Sequence, residues 1–268
     1  VLALFSACTE EVDYSPAKPS AVAETEYYFN RAQSTSAVLA LTESEYAIII
    51  ERANTENEVT LNLYVNAVDS VFTVPESVTF ASGEKTAEIK VAINDKMEPF
   101  KDYKIEVTIP EEYTNPYKED NYSTFTANLI KEDYAPYAKA IYSWGFTQML
   151  FDLSEPLAYY QEIEYSEILG CYRMVSPWTT ISDVYVGAGC GVEKGGNVVF
   201  AINEETGEIT LDNATILSGL IHPSYGSVTA NFEAGAVQDG VLLFQYKWTV
   251  AAGSFGSAVD QVEIAEIY

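Results

Sequence analysis

Between positions 36 and 131 apolar and polar residues alternate at period two, broken at short intervals by turn residues, with no clear helical periodicity. Such a pattern marks antiparallel strands in which every second side chain faces a shared core. Strands are predicted at 37–41, 45–53, 58–66, 77–80, 85–94, 102–109 and 123–130. Within 59–65 the odd positions Val59, Leu61, Leu63 and Val65 point inward, and Thr60, Asn62 and Tyr64 outward. Residues 87–93 repeat the device with Glu88 and Lys90 outward. The count is that of an immunoglobulin-like sandwich. At 132–137 the alternation stops around Pro136, which marks a domain boundary. Beyond it glycine and aromatic residues become commoner, and strands are predicted at 140–150, 157–165, 171–175, 198–202, 209–211, 227–232, 241–250 and 259–267. The expected fold class is therefore all-β. A sandwich over residues 26–134 is followed by a second, mostly antiparallel β domain over 137–268, a curled sheet or partly closed barrel.

The first domain carries a resemblance. Phe80, Gly83 and Glu84 stand in a Phe-x-x-Gly-Glu hairpin, followed by the strand to Asn94 and Asp95 and then Tyr103 to Val107. This resembles the Calx-beta module over about residues 30–132, and the glycine suits a tight turn with positive φ. Some modules of that family bind calcium, and the resemblance makes Asp95 and Glu98 the weak candidates here, with Asp69 or Asp120 beside them. Calcium needs six to eight oxygens, and among 40 acidic residues a solvated loop is the simpler reading. In the second half, 160–164, Gly170 to Trp178 and Asp239 to Phe244 resemble the C-terminal domain of Bacteroidota surface lipoproteins that pair it with a Calx-beta-like module, a family largely of unknown function. Where that family usually has leucine after the glycine, this chain has Cys171.

The chain opens on the apolar run 1–5, followed by Ser6, Ala7 and Cys8. Small residues before a cysteine resemble the lipobox of bacterial lipoproteins, which makes residues 1–8 a signal remnant and Cys8 the expected lipidation site and membrane anchor. Thr9 to Asp13 resembles the acidic export signal of Bacteroidota lipoproteins, so the expected location is the extracellular face of the outer membrane. Residues 9–25, polar and proline-bearing, read as a tether. In an exported protein Cys171 and Cys190 can pair as a disulfide, or Cys171 can serve as a small buried hydrophobe. Asp69, Ser70 and Val71 resemble an acceptor for bacterial O-glycosylation at Ser70, and an ordinary turn is the default.

Charge and missing side chains narrow the function. With 14 Lys plus Arg against 40 Asp plus Glu, the net charge of -26 repels phosphates and excludes a nucleic-acid partner. A single imidazole, His222, lies beside Pro223, so neither a Ser-His-Asp nor a Cys-His set is expected, nor a zinc site. No cofactor motif is present. Gly187 to Gly191 is glycine-rich without dinucleotide spacing and reads as a loop or bulge. Glycoside hydrolysis needs only two carboxyls, and Glu162 and Glu164 share a strand face, which a solvated surface explains as well. Binding is the better class, because sugar rings stack on flat aromatic side chains. The second domain offers Trp144, Tyr159, Trp178 and Tyr185 as candidate ligand contacts, with Tyr160, Tyr225 and Trp248 behind them. Trp178, after Pro177 and before Thr179 and Thr180, is the aromatic most apt to be loop-borne and exposed, and packing is still the favoured role for it. The expected activity is non-catalytic capture of glycan or peptide beside a Sus-type outer-membrane importer, with a scaffold making only protein contacts as the alternative.

Overall fold

The computed structural model describes residues 26–115 and 121–268, so Cys8, the tether and Asp120 lie outside the described residues. The chain divides into two compact units between Glu132 and Asp133. The fold is predominantly β, with sandwich-like sheets in the first unit and a large curled sheet in the second.

The first unit begins with β1 (Tyr27–Asn30), β2 (Ser36–Ala40), β3 (Glu45–Arg52), β4 (Val59–Asn62) and β5 (Tyr64–Val68). It continues with β6 (Phe72–Thr73), β7 (Ser77–Phe80), β8 (Thr86–Ile93), β9 (Tyr103–Thr108), β10 (Asn121–Tyr122) and β11 (Thr124–Glu132). These strands form the sheets β10-β1-β3-β8-β6 and β2-β11-β9-β5, with β4 paired to β7. The period-two pattern has the expected consequence in β8, where Ile89, Val91 and Ile93 are buried while Glu88 and Lys90 face solvent. The strand expected at 58–66 is two strands in different sheets, split at Leu63, whose N–H donates to Glu76 O at 2.8 Å. Alternation survives the split, since a strand changes its sheet partner without changing its pleat.

The Phe80, Gly83 and Glu84 hairpin has a physical role. Arg52 is buried, its guanidinium 5.0 Å from the centroid of the Phe80 ring. It donates to four backbone carbonyls, those of Glu84, Asn57, Thr55 and Ala81, at 2.6–3.3 Å. Gly83 sits at φ 86°, and its N–H donates to Thr55 O. Two loops are thus held around one cation whose planar fork no ammonium can replace. Arg52→Met is expected to lower the first unit's stability by about 2 kcal/mol, because the two loops lose the charged donor that ties their carbonyls together. Arg52→Lys should recover little of that loss. Circular dichroism melts showing an unchanged first-unit transition in the methionine variant would count against this role.

The second unit starts with β12 (Ala135–Trp144), α1 (Phe146–Phe151), β13 (Leu157–Ser166) and β14 (Cys171–Met174). A 3-10 turn at Pro177–Ile181 leads into α2 (Ser182–Gly187) and β15 (Gly191–Val192). Next come β16 (Val198–Ile202), β17 (Ile209–Leu211), β18 (Thr215–His222), β19 (Gly226–Gln238), β20 (Val241–Val250) and β21 (Gly253–Ile267). They form one ten-stranded sheet, β15-β18-β19-β20-β21-β12-β13-β14-β16-β17. The sheet curls until Glu208, before β17, meets Ala236 of β19 in a single antiparallel bridge, so its two flanks are partly closed. Hairpin β19–β20 turns on Asp239 (φ 53°) and Gly240 (φ 82°), the two positive φ angles of a type I′ turn.

Three sequence expectations change here. The strand predicted at 140–150 ends at Trp144, since Gly145 starts α1 and Asp152 caps it in the left-handed region at φ 53°. Pro136 lies inside β12 instead of breaking it. At that position the strand pairs only with Glu164 of β13, and pairing to β21 begins at Ala138, so the missing N–H disturbs no ladder on the second side. Gly187 to Gly191 is a loop only at 188–190, because Gly187 closes α2 and Gly191 opens β15.

Candidate functional site

Alternation along β12 and β20 aims Tyr142, Trp144, Phe244, Tyr246 and Trp248 into the concave side of the curled sheet, where all are buried. The turn and α2 at 177–187 insert Trp178 and Tyr185 into the same interior, again with no exposed surface. The aromatic candidates therefore converge. Tyr185 OH donates to Trp178 O at 2.7 Å, and Tyr159 OH donates to Pro177 O at 2.9 Å. The Trp144 and Tyr185 rings meet edge to face at 6.0 Å, while Tyr159 stacks on Tyr142 at 5.4 Å. Trp178, the aromatic most apt to be loop-borne, takes the packing role: the segment is short and helical, and its ring packs edge-on against Tyr246 and Trp248 at 5.4 and 5.3 Å. In this closed arrangement Trp144, Trp178 and Tyr185 offer no face to solvent, and Tyr159 is partly buried.

At the centre lies a residue that alternation did not single out. Asp260 of β21 is fully buried. Its Oδ2 accepts from Tyr142 OH at 2.6 Å and from Trp178 Nε1 at 3.0 Å, and its Oδ1 accepts from Gly145 N at 2.9 Å. Burial pushes its carboxyl up to about 7, against the three hydrogen bonds, which pull the other way. Burial likewise holds the Tyr142, Tyr159 and Tyr246 phenols well above their ordinary value. Trp144 Nε1, Trp248 Nε1 and Tyr246 OH have no hydrogen-bond partner among the described residues.

A second aromatic group is open to solvent. His222, the last residue of β18, stacks on Tyr225 at 4.7 Å between ring centroids and 27° between planes. Its Nδ1 accepts from Ser224 N at 3.1 Å, so this histidine braces a turn. Phe255 of β21 packs against both rings at 5.6 and 6.0 Å. Together with Val250, Ala252, Gly253 and Ser254, Tyr225 and Phe255 line a cleft of about 250 Å³. Tyr225 is 51% exposed, whereas Phe255 is backed by Phe146 at 5.4 Å, which stacks in turn on Trp248 at 4.5 Å. The platform is thus solvent-facing on one side and fixed to the core on the other. A cleft of about 380 Å³ beside β14, β16 and β17 is walled by Leu169, Cys171, Val199 and Leu211 and presents no exposed aromatic face. A first-unit cleft of about 440 Å³, with Tyr64 and Tyr122 on its walls, borders Asn115, next to the undescribed 116–120.

The remaining candidates are dispersed. Cys171 and Cys190 are free thiols. Cys171 Sγ lies 3.3 Å from Tyr134 OH on β14, while Cys190 precedes β15 at the other end of the strand order, so the expected disulfide is not formed. Burial raises the Cys190 thiol above its ordinary value. Asp95 is exposed, Glu98 faces Lys101 at 3.6 Å, and Asp69 Oδ2 is taken by Lys104 N at 2.7 Å. Among the described residues no group of three or more His, Cys, Asp or Glu could hold a metal. Ser70 is exposed in a turn closed by Phe72 N donating to Asp69 O at 3.0 Å. Glu164 is ion-paired with Arg173 at 2.7 Å, and Glu162 accepts from Tyr268 OH at 3.1 Å. No helix among the described residues is long and apolar enough to cross a membrane.

No family model matches the chain, and no curated protein does. Likenesses occur among solved structures. An auxiliary nutrient binding protein from Bacteroides thetaiotaomicron VPI-5482 shares 11% identity over 87% of this chain and 90% of its own, with a TM-score of 0.31. A protein of unknown function from Bacteroides ovatus shares 8% over 91% and 94%, at 0.31. The calcium binding domain CBD12 of CALX1.1 shares 8% over 56% of this chain and 78% of its own, at 0.30. At these scores the likenesses transfer no site, and none of the residue roles above rests on them.

Proposed function

We propose that this chain is a surface-displayed binding protein without catalysis of its own, which captures glycan by stacking a sugar ring on Tyr225. One observation carries the reading: an exposed aromatic face, braced by His222 and Phe255, flanks a cleft that Gly253 and Ser254 also line. Flat apolar faces with a few polar groups beside them suit the mixed surface of a pyranose. The carboxyl pair that hydrolysis would use is otherwise engaged, Glu164 by Arg173 and Glu162 by Tyr268 OH. A lipid at Cys8 and the acidic tether would present the two units outside the outer membrane, and an accessory place beside a Sus-type importer belongs to the same proposal.

A glycan array compares wild type with Tyr225→Ala. Loss of the stacking face is expected to weaken retained glycans about tenfold, corresponding to about 1.4 kcal/mol. Equal signals from the two proteins would remove the cleft from the binding site, and silence from both would favour a scaffold role.

A further inference from the structure

Residues 176–189 cross the interior aromatic cluster as a separate piece of chain. The segment starts at Ser176, a non-glycine at φ 40°, and ends at Gly189 at φ 84°, so both ends turn through the left-handed region. Between them are two short helical stretches whose inward residues are Pro177, Trp178 and Tyr185. Ser176 is tied to the 195–197 loop, its Oγ donating to Gly195 O at 2.9 Å and its N–H to Asn197 Oδ1 at 3.2 Å; beyond it the ties to the sheet are few. Trp178 Nε1 reaches Asp260, Thr180 Oγ1 reaches Gln161 Oε1 at 3.1 Å, and Pro177 O receives Tyr159 OH. Beneath it stand the faces of Trp144, Trp248 and Tyr246, the Asp260 carboxylate, and three donor groups without partners. Flat apolar faces, one strong acceptor and several free donors form the chemistry that recognises a neutral sugar ring, while the carboxylate repels anions.

We propose that residues 176–189 are a hinged strap, latched by Asp260 through Trp178, which opens to admit a neutral sugar ring to a second, interior binding site on Trp144, Trp248 and Tyr246. The hinges are the two left-handed positions, which absorb backbone rotation at the ends of the segment. The inference stands on interior residues alone and holds whether or not the Tyr225 cleft binds glycan.

Opening is proton-linked. The titratable groups facing Asp260 are Tyr142 from β12, Tyr159 from β13 and Tyr246 from β20, with Tyr185 from α2 next to Tyr159; the Gly145 turn and the Pro177–Ile181 turn present none. All of these phenols stay neutral near pH 7, so Asp260 alone changes charge there. Closed, its carboxyl holds a proton up to about pH 7; opened and hydrated, it titrates near the ordinary aspartate value of about 4. Opening therefore releases a proton, and the opening constant climbs about tenfold per pH unit until it levels off near pH 7.

Hydrogen–deuterium exchange of residues 178–189 across pH, corrected for intrinsic exchange, tests the strap. Expected are opening rates above those of β20 amides, a rise of about tenfold per unit that flattens near pH 7, and loss of this slope in Asp260→Asn. Strap amides as protected as β20, or an unchanged slope in the Asn variant, overturn the proposal. The interior site is read by tryptophan emission in a Tyr225→Ala background, since the chain's three tryptophans are all inside this cluster. Glucose, mannose, galactose and N-acetylglucosamine are the probes, and a saturable change with at least one of them, together with slower strap exchange, is expected. No response to any of them overturns the ligand half of the proposal.

Discussion

Asp260→Ala is expected to lose on the order of 3–5 kcal/mol of second-unit stability, because Tyr142 OH, Trp178 Nε1 and Gly145 N would all be buried donors without an acceptor. Asp260→Asn should lose less, on the order of 1–3 kcal/mol, since one carbonyl oxygen still accepts while its amide N–H₂ must face a donor. The two variants separate through pH. The folded carboxyl stands at about 7, raised above its unfolded value, so the native state holds a proton that the unfolded chain has released. Its contribution to stability is complete below about pH 4 and is lost as pH rises to about 7, a span on the order of 4 kcal/mol. Wild type should therefore weaken across that window, and Asp260→Asn should weaken much less. Glu51 and Asp133, both held below the usual carboxylate range, act in the opposite direction at more acid pH and are common to both proteins. Urea melts followed by tryptophan emission report the second unit alone, since all three tryptophans lie in it. Parallel pH slopes for wild type and the Asn variant would show that the buried carboxyl does not titrate in the folded state.

What the sequence could reveal is set by periodicity. Period-two alternation identifies the buried rows of β8, β12 and β20 because a strand's inward side chains are fixed by its pleat alone. It cannot show that β4 and β5 leave one another at Leu63, because sheet partners depend on residues far along the chain. It also misreads 146–150 as strand where the backbone is helical, and it gives no sign of the helical turns at 177–187. Those segments are short, and their conformation follows from packing under the sheet: Phe146 stacks on Trp248, and Trp178 is anchored on Asp260. The aromatic candidates Trp144, Tyr159, Trp178 and Tyr185 were legible as a chemical group, and they do meet. Their burial was not legible, since it depends on the curl of a ten-stranded sheet. Asp260 carried one signal, a lone acid between Val259 and Val262 in an alternating strand, at a position where its neighbours Ala258 and Val262 face the core. Tyr225 was legible as one candidate aromatic, and its brace comes from His222 three positions back and from Phe255 thirty positions onward.

Gly145→Ala is expected to prevent the second unit from folding stably, with a loss of at least about 3 kcal/mol. The φ of Gly145 is -60°, which any residue tolerates, so the requirement is for space and not for conformational freedom. A Cβ there would be driven into the Val259 carbonyl oxygen and would lie 2.9 Å from its carbon, and both are backbone atoms of β21 that cannot rotate away. Relief would require β21 to withdraw from the start of α1. That movement would lengthen the Gly145 N to Asp260 Oδ1 bond of 2.9 Å and pull the carboxylate from Tyr142 and Trp178. One methyl group therefore acts on the same latch as the Asp260 variants, through sterics instead of charge. Gly187→Ala is the control, because nothing lies within 4 Å of a Cβ at that position and alanine suits the end of α2. The expected result is an insoluble or molten Gly145→Ala protein, with lost near-ultraviolet circular dichroism, beside a Gly187→Ala protein that melts within about 0.5 kcal/mol of wild type. A Gly145→Ala protein with native melting and unchanged tryptophan emission would mean that β21 and α1 can separate at little cost, and that Asp260 does not hold them together.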